Sequence, residues 1–223
     1  MKKRKDFVFG FTAALIAAAL VFLTEQIIKP SYAVKSAIKL ICFLNAITLY
    51  CAFCKKKFSD VIRLRRIMNI KTILVYMLVF FIGTAAAFIL AYGRLDLENI
   101  RQSLISKENL TKENCIFVFL YIIFCNSFLE ESFFRGFVTG LFENKRLGSV
   151  ISAVMFSLYH IGIFITWFDP LIFALCIVGL TAVGLFLQWL SDKYDSILAS
   201  YITHACANVA INTVGVLLIF EII

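Results

Sequence analysis

Residues 116–129 are apolar or aromatic except for Asn126 and Ser127, and this run leads straight into Glu130, Glu131 and Arg135. A segment of that length is most of a membrane span. An ionisable side chain inside hydrocarbon costs roughly 2.5 kcal/mol or more even on lenient insertion scales, so such a residue is a functional candidate by default. Charges placed there need polar partners, and the other apolar segments offer few: His160, His204, Asn208 and Asn212. The chain has only 2 histidines, and both lie in otherwise apolar stretches.

A chain of 223 residues that is 61% hydrophobic is not an ordinary soluble domain. It has room for about seven spans of roughly 20 residues each. The net charge of +8 comes from lysines and arginines in short stretches between spans. Insertion topology explains that pattern, so no nucleic-acid partner is expected. The 7 cysteines are scattered through apolar segments. Cys51 and Cys54 have CxxC spacing without a second pair or a neighbouring histidine, which argues against redox or metal chemistry there.

The expected spans are residues 7–23, 33–54, 72–92, 115–141, 147–168, 171–190 and 197–220. The first is read as a retained span rather than a cleaved signal, because its apolar core is long and residues 23–25 make a poor cleavage site. Pro30 ends it. Lys35 and Lys39 sit near the start of the second span, where they are expected to snorkel to the interface. Arg63, Arg65 and Arg66, interleaved with Val61, Ile62, Leu64 and Ile67, suggest a short basic amphipathic segment lying on the membrane surface. Residues 93–114 form either an interfacial helix or a solvated loop, with Leu97, Ile100, Leu104 and Ile105 at helical spacing. Asp169 and Pro170 are expected to form a tight turn. Stretches on the N-terminal side of the membrane hold 14 Lys/Arg against 7 opposite. The expected localisation is therefore a multi-pass protein of the cell membrane, N-terminus in the cytoplasm and C-terminus outside.

The expected fold is all-α: a polytopic membrane helical bundle of about seven transmembrane helices, with the active-site helices in the C-terminal half. Residues 1–114 form a three-span region with interfacial segments, and residues 115–223 form the core. At 1.5 Å per residue, Glu130 lies roughly 12–17 Å from the cytoplasmic end of its span, His160 roughly 15–20 Å and His204 roughly 10 Å. Glu131 and Arg135 have the favoured spacing and order for an ion pair on one helix. His204, Asn208 and Asn212 share a face, as do Phe156 and His160. Such a set suits acyl hydrolysis by water: a carboxylate as general base, a histidine orienting the water, a second histidine and an amide at the oxyanion.

Three motifs occur in order, each in an apolar span: Glu130-Glu131-Ser132-Phe133-Phe134-Arg135, Phe156-Ser157-Leu158-Tyr159-His160 and His204-Ala205-Cys206-Ala207-Asn208. They resemble the EExxxR, FxxxH and HxxxN of the CPBP family, the CAAX-protease and bacteriocin-processing membrane proteins often described as intramembrane metalloproteases. The resemblance covers roughly residues 115–212 and implies an intramembrane endopeptidase. Glu130 and His160 would activate water, His204 and Asn208 would bind the oxyanion, and Glu131 with Arg135 would support them. It implies a membrane-associated peptide or protein as substrate, in contact with membrane lipid. The family's eukaryotic branch cleaves prenylated CAAX proteins, and its bacterial members, which this chain resembles more, act in peptide processing, bacteriocin immunity or regulation. CAAX endopeptidases carry a further span after HxxxN, which this chain is expected to lack, so a transfer of that specificity is not expected. Glu130, His160 and His204 could make a three-ligand zinc site. Without HExxH, and with His204 wanted at the oxyanion, the expectation is no metal and no cofactor. The alternative function is a non-catalytic immunity or scaffolding protein that binds a peptide or partner membrane protein. A transporter is disfavoured, since Pro30 and Pro170 both fall in turns. Nothing in the sequence sets an oligomeric state.

Overall fold

The computed structural model describes residues 2–66, 70–164 and 170–223. Among these the chain is helical with no strand. Helix α1 (Lys2–Leu23) continues into a π turn at Thr24–Ile28, α2 is Tyr32–Cys54, and a short α3 covers Phe58–Ile62. Next come α4 (Ile70–Ala91) and α5 (Leu97–Ser106). A long helix follows, made of α6 (Cys115–Tyr121), a π turn (Ile122–Asn126), α7 (Ser127–Glu131) and a second π stretch (Ser132–Val138). The chain ends with α8 (Lys145–Phe164), α9 (Pro170–Lys193) and α10 (Ile197–Ile219).

Six of the described helical stretches are long and apolar enough to cross a membrane: Lys3–Ile28, Tyr32–Cys54, Ile73–Arg94, Cys115–Val138, Pro170–Lys193 and Ile197–Ile219. The seventh expected span is α8. It runs antiparallel to α9: Ala153 meets Gly184, where an added Cβ would sit 3.0 Å from the alanine Cβ, and Ser157 Oγ donates to Ile177 O at 2.8 Å. Residues 165–168 of that span, and Asp169 of the expected turn, lie outside the described residues. The bundle turns large apolar side chains outward, Leu90, Phe117 and Ile27 among them, as a protein solvated by lipid does.

The main core lies between α1, α2, the long helix and α8. Phe43 stacks on Phe133 at 3.9 Å between ring centroids, and Phe134 meets Phe156 edge-on at 5.4 Å. Helix α10 packs against α4, α5, α7 and α9. It is capped by Ser196, whose Oγ accepts from Leu198 N at 3.2 Å.

One expectation about the flanking segments needs correction, and another is resolved. The basic stretch after α3, expected on the membrane surface, is bonded to the turn between α9 and α10. Arg63 donates to Asp192 at 2.7 Å and to Ser191 O at 2.9 Å, Arg65 pairs with Asp195, and Ile197 N donates to Arg63 O at 3.1 Å. The arginines tie this segment to the α9–α10 turn, because that turn presents two carboxylates and the open N-terminal amides of α10. Ile67 lies outside the described residues. Lys35 and Lys39 do not snorkel. They continue the buried face of α2 that carries Phe43, Ile47 and Tyr50, and both are buried. Within residues 93–114, a helix forms over Leu97–Ser106, capped by Asp96, whose side chain accepts from Asn99 N at 3.0 Å. Its Ile100 and Leu104 pack with Phe119 and Leu218.

Candidate active site

The two glutamates stand on one turn of α helix held between two π stretches. A π turn widens the i→i+4 ladder and is often found where a helix must aim side chains at a site. Hydroxyl groups add second bonds to carbonyls of the widened turns, which also accept from the backbone N–H of Ser127 and Thr139. Ser127 Oγ donates to Ile122 O at 3.0 Å, while Thr139 Oγ1 and Ser152 Oγ both donate to Phe134 O, at 3.1 and 2.7 Å. Glu130 and Glu131 are 1% and 0% exposed, so every lone pair on them needs a partner inside the protein.

Glu130 presents its two oxygens to different surroundings. Oε2 lies 3.9 Å from His160 Nε2 and 3.9 Å from His204 Nε2. Oε1 accepts from Asn126 Nδ2 at 2.8 Å and lies 3.8 Å from Lys39 Nζ, which itself donates to Asn126 Oδ1 at 2.9 Å. Glu131 is likewise divided. Its Oε1 is 2.9 Å from His204 Nδ1, and its Oε2 is 3.4 Å from Arg135 Nε.

The second nitrogens of the imidazoles fix what the site can do. His160 Nδ1 lies 2.7 Å from Phe156 O, and a carbonyl only accepts, so Nδ1 carries the proton. The Glu131 carboxylate demands the same of His204. In their neutral forms both rings therefore offer Nε2 as an acceptor toward the region in front of Glu130 Oε2. A single water about 2.8 Å from each atom spans separations of this size.

The donor chemistry, one carboxylate and two imidazole nitrogens, also suits a metal. Ligands about 2.0–2.1 Å from a tetrahedral zinc stand about 3.3 Å apart, and Glu130 Oε2 stands 3.9 Å from each imidazole Nε2. Among the described residues no group of three or more His, Cys, Asp or Glu side chains is placed to hold a metal ion. Lys39 faces Glu130 and Arg135 faces Glu131.

Of the expected site residues, Glu130, Glu131, Arg135, His160 and His204 come together. Asn208 is turned elsewhere, its amide donating to Ser127 Oγ at 2.8 Å. Asn212 has its buried Nδ2 without a hydrogen-bond partner among the described residues. Lys39 and Asn126 were not expected, nor was Tyr159, whose ring lies 5.1 Å from Lys39 Nζ and 4.9 Å from the His160 ring. The signal for Lys39 was present in the sequence: residues 35, 39, 43 and 47 repeat every four, so the lysines extend the apolar stripe of their helix. A groove of about 1010 Å³ opens between α1 and α2, lined by Val8, Phe9, Ile16, Ile41 and Leu49, and none of the expected site residues lines it.

A helical membrane bundle with two glutamates, an arginine and two histidines gathered inside it has the make-up of an intramembrane protease fold. Comparison with family models agrees. Residues 112–210, just under half of the chain, match the model described as Type II CAAX prenyl endopeptidase Rce1-like, a model of the CPBP family. No curated protein and no solved structure matches the chain.

Proposed function

We propose that the chain is a glutamate-type intramembrane endopeptidase that hydrolyses a peptide bond of a membrane-associated protein or peptide. The observation that carries this reading is the pair of 3.9 Å separations between Glu130 Oε2 and the two imidazole Nε2 atoms. A water there donates one proton toward Glu130 and one toward His160 Nε2, which leaves a lone pair on its oxygen directed at substrate. Glu130 takes the proton as the oxygen attacks the carbonyl carbon, and returns it to the leaving amine as the C–N bond breaks. His204 is the oxyanion donor in this reading, and it donates from Nε2 only when both ring nitrogens carry protons. In that form the ring pairs through Nδ1 with the Glu131 carboxylate, the arrangement that a buried carboxylate makes in other hydrolytic sites. Asn208 supplies a second donor once its amide leaves Ser127.

In this reading residues 115–223 are the catalytic core and residues 1–114 a three-span region packed against it. The N-terminus is cytoplasmic, on the strength of the 14 to 7 excess of Lys/Arg. The test compares cells carrying the native chain with cells carrying Glu130→Gln. A membrane peptide cut in the first should accumulate uncut in the second, with turnover reduced at least ~10²-fold. His160→Ala should fall comparably and the double variant little further, since groups acting as one unit are not additive. With that peptide and purified protein, a chelator should leave the rate unchanged, whereas a bound zinc would give a loss that added metal restores. Full processing by Glu130→Gln would mean that the protein works by binding alone.

A further inference from the structure

Lys39 belongs to α2, outside the segment that matches the family and outside all three motifs. Its side chain is 8% exposed, yet it reaches the centre of the site. One turn earlier, Lys35 is held 3.2 Å from Glu25 and 2.9 Å from Glu108, so that part of α2 is anchored at two points. One turn later, Phe43 stacks on Phe133 of the glutamate helix. The lysine between them is therefore fixed in height and in rotation.

We propose that Lys39 is a positioning residue for Glu130. Together with Asn126 it forms a clamp on Oε1 that turns Oε2 toward the imidazoles and keeps the carboxylate ionised. Asn126 is bonded on both sides, accepting from Lys39 Nζ at 2.9 Å and donating to Glu130 Oε1 at 2.8 Å. Both bonds fail if the amide is reversed, so the order lysine, amide, carboxylate is set by donor and acceptor chemistry alone. Charge balance gives a second, independent reason. With both imidazoles neutral, the buried charges of the site are Lys39, Arg135, Glu130 and Glu131, and they cancel. Arg135 is committed to Glu131. Without Lys39 a negative charge would lie uncompensated in the bundle, and a proton would have to neutralise it.

The other groups electrostatically close to Glu130 are Tyr32 on α2, Tyr121 on α6, Tyr159 and His160 on α8, and His204 on α10, besides Glu131 and Arg135 on its own helix. Among these described residues only Lys39 is a permanent cation not already taken by another carboxylate of the site. The ammonium thus does for Glu130 what the guanidinium does for Glu131.

The functional part of this inference rests on Glu130 acting as the base, and the experiment separates the two. Infrared spectra of the purified full chain in lipid nanodiscs report the protonation of Glu130 and the histidines without any substrate. At neutral pH, Lys39→Met should gain one proton in the cluster, visible as a protonated carboxyl or an imidazolium band. That band should be missing from Lys39→Met/Glu130→Gln and from Lys39→Arg. An unchanged spectrum in a folded Lys39→Met protein overturns the clamp. Should Lys39→Met not accumulate, Asn126→Ala gives the second arm: it removes the bridging amide but keeps the ammonium. Its carboxylate stretching bands should shift with the loss of the Oε1 bond, and unshifted bands overturn the proposal equally. Cleavage of the peptide found with Glu130→Gln adds the kinetic arm, where Lys39→Met should lower kcat by about tenfold or more with KM within about twofold. A proton gained by Lys39→Met in a chain whose Glu130→Gln variant processes normally would keep the clamp and remove the protease.

Discussion

Arg135 is fully buried, and none of its guanidinium nitrogens has a hydrogen-bond partner among the described residues. It is held instead by charge and by ring faces, with Nε 3.4 Å from Glu131 and Cζ 4.1 Å from the centre of the Phe156 ring. Removing one partner of a buried ion pair leaves the other charged in a low-dielectric interior, at a cost of about 3–5 kcal/mol. Arg135→Ala should therefore accumulate poorly and melt early in detergent, and Arg135→Lys should recover only part, since an ammonium lacks the flat face that lies on Phe156. Normal accumulation and melting of an inactive Arg135→Ala protein would place Arg135 in the reaction itself. The Glu131–Arg135 pair was legible in the sequence because both ends lie on one helix at a fixed spacing. The bond from His204 to Glu131 was not, because it depends on how α10 is rotated against a helix 73 positions away. That bond gives Glu131 a second duty, setting the tautomer of His204, that no spacing rule reveals.

At the scale of the element, sequence periodicity treats a helix as uniform, with a constant angle and rise per residue. The helix bearing the glutamates departs from this twice, at Ile122–Asn126 and Ser132–Val138. No residue type announces a π turn, since its side chains are those of an ordinary apolar span, so the span was legible and its two widened turns were not. The second turn bears on assembly through Gly136. A Cβ there would stand 2.7 Å from the Cα and 2.8 Å from the O of Ile62. These are backbone atoms of α3, which cannot swing aside as a side chain would. Their displacement would drag Arg63, the next residue, out of its bonds to Asp192 and Ser191. Gly136→Ala is expected to destabilise the protein by about 1–3 kcal/mol, the usual cost of overpacking. A lower melting temperature in detergent, with less folded protein in membranes, is the expected result. A melting curve matching the native one would mean that α3 is free to shift. Gly140, with open space around its Cβ position, is the control substitution and should leave the curve unchanged.

For the whole molecule, the question is which side of the membrane each end occupies, and it turns on α8. Six stretches qualify as spans by length and composition among the described residues, and α8 is not one of them. Six crossings would leave both termini on one side, whereas seven separate them. The packing argues for seven. Moving from Ala153 to Ser157 along α8 corresponds to moving back from Gly184 to Ile177 along α9, so the two helices run side by side in opposite directions. Ser152 reaches Phe134 O in the glutamate helix, and His160 meets Glu130 eight residues further along α8, so α8 also follows that helix well into the bundle. A helix lying flat on the surface could not supply both contacts, since eight residues advance about 12 Å along its axis. Epitope tags at the two ends of the chain test this in intact cells. On the proposed orientation, the N-terminal tag should resist added protease until the membrane is opened. The C-terminal tag should be removed at once. Protection of both tags, or loss of both, would mean an even number of crossings, and His160 would then reach Glu130 on a helix that enters the membrane and turns back.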